Sequence, residues 1–126
     1  MDLSLWLWIA TALLALPYLM IGIMKATRPI PVLAKMIHWP GDVPPAFVRT
    51  IGVSEILGAL GLVLPIVTGI LVVLAPVAAV CLGLIQILAI GFHAIRGETR
   101  QTLAINLAFL ALAGIVAWGQ ISVLAA

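Results

Sequence analysis

Hydrophobic residues in this chain gather into four long runs, parted by short segments that hold most of the charged side chains. Each run approaches the roughly 20 apolar residues that an α-helix needs to cross a bilayer core about 30 Å thick. The predicted fold class is therefore all-α: a polytopic membrane protein, built as a four-transmembrane-helix bundle with spans near residues 3–24, 47–64, 70–92 and 102–121.

Breaker residues set these limits. Lys25, Arg28, Pro29 and Pro31 close the first span, and Pro17 inside it predicts a kink whose freed carbonyl neighbouring helices can satisfy. The stretch 27–45 carries five of the eight prolines with Gly41 and Asp42, and reads as a loop. Within it Val32, Leu33, Met36 and Ile37 share one side of a short helix and Lys35 and His38 the other, a pattern suited to an interfacial helix. Pro44-Pro45 starts the second span, Pro65 and Gly69 mark a tight turn after it, and Pro76 lies near the start of the third. The polar stretch Ile95 to Gln101 separates the last two spans. The first run carries Asp2 in place of a basic leader region and exceeds the usual leader core of about 7–15 residues, so it is read as a span. Residues 1–126 are then one transmembrane domain with no room for a soluble one.

Composition agrees: 65% of the 126 residues are hydrophobic and 8% charged, whereas soluble domains run near 25% charged. Six Lys/Arg against four Asp/Glu is too thin for a nucleic-acid footprint, and the cations serve better as topology signals. Lys25, Arg28, Lys35 and Arg49 flank the first connection and Arg96 and Arg100 the third, with none on the opposite side. The positive-inside rule then places these connections in the cytoplasm and both termini outside, in a plasma (inner) membrane. Trp6, Trp8 and Trp118 fit an outer interfacial belt and Trp39 an inner one.

Cys81 stands alone, which excludes an internal disulfide or thiolate cluster; a buried, inert thiol is expected. Small residues four apart, namely Ser54 and Gly58, Ala75, Ala79 and Gly83, and Ala104 and Ala108, suit close helix contacts. The expected partners are the lipid bilayer and either another membrane protein or further copies of this chain.

The candidate chemistry lies in polar residues that hydrocarbon should exclude. Glu55 falls six residues past Arg49, about 9 Å deeper along the helix, where an ionised carboxylate must be paired or hydrated. Gln86 and His93 lie two turns apart on one face of the third span, Asn106 one turn into the fourth, and Lys25 closes the first at the same level. These five are the candidate ligand-binding residues, with Arg49, Ser54, Arg96 and Glu98 as a supporting polar cluster. The competing reading is a structural hydrogen-bonded clasp, with Lys25, Arg49 and Arg100 as anchors reaching toward the headgroups. Two histidines, one in a loop, do not make a metal site, and no phosphate loop is present. Ser54 and Glu55 are adjacent on a helix and point about 100° apart, so they are not a nucleophile and base.

The run Arg49 to Pro65 (RTIGVSEILGALGLVLP), followed by Ala75-Pro76-Val77-Ala78-Ala79 and the His93, Arg96, Gly97, Glu98 series, resembles the DoxX-like membrane proteins, and Lys25 after Gly22 suits their first helix. The resemblance covers essentially the whole chain and implies a small four-helix membrane protein. The family takes its name from proteins resembling a subunit of a thiosulfate:quinone oxidoreductase, and distant relatives include a chaperone for nicotinic receptor assembly. No cofactor motif is evident here, so a quinone role would be binding or anchoring rather than electron storage. Three functions follow as expectations: a pocket for a small amphipathic molecule such as a quinone or lipid, an assembly factor or accessory subunit of a membrane complex, and an intramembrane acid-base enzyme using Glu55 and His93.

Overall fold

The computed structural model describes residues 3–126, and Met1 and Asp2, on which the distinction from a leader draws, lie outside them. Four long helices form, α1 (Leu5–Thr27), α3 (Pro45–Thr68), α4 (Leu74–Ile95) and α5 (Thr99–Ala125), with a short α2 (Ile30–Ile37) and a 3-10 turn (Trp39–Asp42) between the first two. Each long helix is apolar enough and long enough to cross a membrane. Their outward faces are apolar too, from Leu13 and Leu16 on α1 to Leu88 on α4, as lipid rather than water requires.

All four helices run past the C-terminal ends expected from sequence. Charged and polar residues were the expected stops, but a helix end tolerates them wherever another group satisfies its backbone. α1 continues through Pro17 and past Lys25, and its last carbonyls accept hydrogen bonds from Arg49. α3 runs through Pro65 to Thr68, and Gly69 (φ 70°) supplies the left-handed cap whose N–H donates to Pro65 O. α4 begins only at Leu74, with Pro76 in its first turn, where a missing N–H costs nothing. α5 starts at Thr99, absorbing polar residues assigned to the connection.

Inward faces follow helical spacing. Leu7, Ala10, Thr11, Leu14, Tyr18 and Gly22 line α1, and Val48, Gly52, Glu55, Ala59, Leu62 and Ile66 line α3. α1 packs most extensively on α3, and α4 on α5. The first pair crosses backbone to backbone: a Cβ on Gly52 would fall 2.7 Å from Ala26 N and 2.8 Å from Gly22 O.

The two pairs meet at the end away from the cations. There Gly58 lies against Leu82 and Gly61 against Ala78, joining α3 to α4, while Gly119 lies against Leu7 and Gln120 Nε2 donates to Thr11 Oγ1 (3.4 Å), joining α1 to α5. Toward the basic end the small residues give way to aromatic and polar ones, and the pairs part. α2 and the 3-10 turn fill that end, with Leu33, Trp39 and Val48 forming a second small core.

Several expectations are corrected. Trp39 is buried rather than interfacial, seated edge-to-face against Phe92 (5.6 Å between centroids) and Phe47 (6.2 Å). Cys81 is exposed on the apolar outer surface. Among the small-residue sets, Ala75, Ala79 and Gly83 are buried at helix contacts, whereas Ser54, Ala104 and Ala108 face outward.

Candidate functional site

The packing of α1 on α3 builds the centre of the site. The helices are antiparallel, and in an α-helix each side chain leans toward its own N-terminus. Lys25, three residues past Gly22, therefore leans into the bundle, while Glu55, three past Gly52, leans toward the basic end. They meet: Lys25 Nζ donates to Glu55 Oε1 at 2.6 Å, with the two side chains 13% and 3% exposed. Lys25 is thus a buried counter-ion rather than a headgroup anchor. Its ammonium also lies 5.4 Å from the Trp39 ring centroid, a cation–π contact.

Between the α1/α3 pair and the α4/α5 pair lies a cavity of ≈ 380 Å³, within the ordinary range for small-molecule sites. Lys25, Ser54, Glu55, Gln86, His93 and Asn106 all line it, from four different helices. Aromatic walls come from Tyr18, Trp39, Phe47, Phe92 and Phe109. Ser54 contributes little polarity, since its hydroxyl donates back to Thr50 O (2.8 Å). A second hollow of ≈ 330 Å³ adjoins on the α2 side and shares Lys25, Trp39, His93 and Asn106. Lining residues Thr50, Ser54 and Leu88 at α3/α4, and Ile21 and Ile105 at α1/α5, are exposed on the outer surface, so the cavity reaches the lipid face on both sides.

Hydrogen-bond polarity fixes one wall. Tyr18 Oη donates to Leu82 O (3.3 Å), an acceptor only, so the phenol oxygen accepts from Gln86 Nε2. The Gln86 amide is thereby oriented with Oε1 left over, and that buried atom has no partner among the described residues. Asn106, which lines the same cavity from α5, has a buried Nδ2 without a partner either.

Arg49, Arg96 and Glu98 lie outside the cavity. Arg49 caps α1 through the carbonyls of Lys25 (2.8 Å) and Arg28 (2.6 Å), where a cation also favours the helix dipole. Arg96 and Glu98 form a rim: Glu98 Oε2 meets His93 Nδ1 (2.7 Å), Glu98 Oε1 accepts from Arg96 Nε (2.9 Å), and Arg96 reaches Asp42 across the two connections (2.7 Å). The Arg96 guanidinium, then the His93 ring, holds the Glu98 carboxyl below the usual carboxylate range. Arg100 is exposed. No hydrogen bond joins Glu55 to His93 among the described residues; each has another partner, Lys25 and Glu98 respectively. Among the described residues no group of His, Cys, Asp or Glu gathers to hold a metal ion.

Sequence reasoning missed Tyr18, Asp42, Thr11 and Gln120. Gln120 lies inside an apolar run, and the rule that singled out Gln86 applies to it. Asp42 offered no such signal, because an acidic residue in a loop is ordinary.

Four apolar crossings joined by short connections, with a buried ion pair toward one end, define a small multi-pass membrane protein. The model of the DoxX-like family matches residues 9–116, most of the chain, and the chain belongs to that family. No curated protein and no solved structure matches it.

Proposed function

We propose that this protein binds a small amphipathic molecule, such as a quinone or a lipid, in the cavity between its two helix pairs. The observation that carries the reading is that Gln86 and Asn106, whose buried Oε1 and Nδ2 have no partner among the described residues, both line a cavity of ≈ 380 Å³. A buried amide without a hydrogen bond costs about 1–3 kcal/mol, which a bound polar head would recover. Lys25, Glu55 and His93 complete the polar end, and the aromatic walls suit an apolar body. The lateral openings suit a molecule arriving from the lipid. The distribution of Lys and Arg supports a cytoplasmic location for this end and non-cytoplasmic termini in a plasma (inner) membrane.

The accessory-subunit and homo-oligomer readings draw on the apolar outer faces, which lipid contact accounts for equally well. The acid-base reading is less favoured, because Glu55 and His93 are each engaged elsewhere.

Native mass spectrometry of protein extracted under mild conditions tests the proposal. An adduct of lipid-like mass is expected on the wild type, lost in Ala89→Trp, which fills the cavity, and kept in Ala104→Trp, which adds the same bulk to the exposed face of α5. An adduct equally abundant in all three proteins, or none on the wild type, would reject the pocket.

A further inference from the structure

We infer that the polar head of the ligand is uncharged and carries its own hydrogen-bond donor, a hydroxyl or an N–H group, which it gives to Gln86 Oε1 while accepting from Asn106 Nδ2. The inference rests on the pocket proposed above and narrows its occupant, setting aside an oxidised quinone and a charged phospholipid in favour of a quinol or a neutral hydroxyl-bearing lipid.

Leu82 presents a backbone carbonyl, which only accepts. Tyr18 has one hydroxyl proton and directs it there, so Tyr18 is an acceptor toward Gln86, and Gln86 must present its NH₂. The chain of donors thus runs in one direction and ends at a carbonyl oxygen. Gln86 is about nine-tenths buried, and no protein group reaches that oxygen among the described residues. A head made only of acceptors, such as an ester, an ether or a ketone, would leave it unsatisfied. A hydroxyl carries both functions in one oxygen, a donor for Gln86 Oε1 and an acceptor for Asn106 Nδ2.

Charge is settled by Lys25 and Glu55. Each is the other's partner at 2.6 Å, so the pair offers no free counter-charge to an ionised head. A carboxylate or phosphate brought against it would have to break that contact or remain unpaired in a poorly hydrated place.

The test uses three probes of one shape: 4-octylphenol, its methyl ether 4-octylanisole, and 4-octylbenzoate. Each is added at equal mole fraction to phosphatidylcholine nanodiscs containing the full chain with Trp6, Trp8 and Trp118 changed to Phe, so that fluorescence reports Trp39 on the cavity wall. The phenol is expected to bind about 10-fold more tightly than the ether, the difference one hydrogen bond makes, and the benzoate no better than the ether. Gln86→Met should erase the preference of phenol over ether, whereas Asn106→Leu should weaken both, with thermal unfolding confirming that each variant is folded. Equal affinity for phenol and ether, or a benzoate that binds as well as the phenol, would overturn the inference and leave the pocket standing. No response of Trp39 to any probe would overturn both.

Discussion

At the scale of single residues, the Lys25–Glu55 pair sets two charges against each other inside the bundle. Two charges in a place with little water are tolerable together and expensive apart: removing one partner of a buried pair costs about 3–5 kcal/mol, while replacing both with apolar residues of similar size is often neutral. Glu55→Leu and Lys25→Met are therefore each expected to lower the thermal unfolding temperature in detergent, and the double variant to recover most of the loss. A double variant as unstable as the sum of the singles would show that the two charges do not act as a pair. Glu55 and Lys25 were legible because charge is rare in hydrocarbon and attracts notice wherever it appears. Tyr18 was not, because its ring counts with the apolar residues and its hydroxyl matters only once Leu82 and Gln86 are beside it. Trp39 misled for a related reason. In a proline-rich loop it suggests an interface, and only the tertiary contacts with Phe47 and Phe92 draw it inside.

At the scale of elements, the crossing of α1 on α3 sets the geometry of the site. Gly22 and Gly52 let the two backbones touch, and that contact fixes the register in which Lys25 and Glu55 lean together. A side chain at Gly52 must push α1 away, since the atoms in its path are backbone. Gly52→Leu is expected to cost about 1–3 kcal/mol or more as overpacking and to separate the ion pair as well. Gly91→Leu, which meets nothing within 4 Å, is expected to leave unfolding unchanged and serves as the control. Comparable losses in the two variants would mean that any bulk in these helices is harmful and that the crossing has no special role. The existence and order of the four spans could be read from the sequence because long apolar runs have one solution in a bilayer. Their ends could not, because Arg49 caps α1 from another helix and Gly69 extends α3 past Pro65. Neither the Gly22–Gly52 contact nor the outward turn of Ala104 and Ala108 follows from spacing alone, since small residues four apart occur at contacts and lipid faces alike.

At the scale of the whole molecule, the bundle is closed at one end and open at the other. Small residues bring both helix pairs together away from the cations, and aromatic and polar residues hold them apart near the basic end, under the 3-10 turn that carries Trp39. The Asp42–Arg96 contact ties the first connection to the third across that end. Lys25, Glu55, Gln86, His93 and Asn106 line one cavity, and that cavity comes from the divergence of the pairs, which no single helix encodes. The most direct test is a crystal structure of the protein grown from a lipidic mesophase. Elongated non-protein density is expected between the α1/α3 and α4/α5 pairs, with its head within hydrogen-bond distance of Gln86 Oε1 and Asn106 Nδ2. Helix pairs closed upon each other, with those two amides bonded to protein groups, would contradict this expectation.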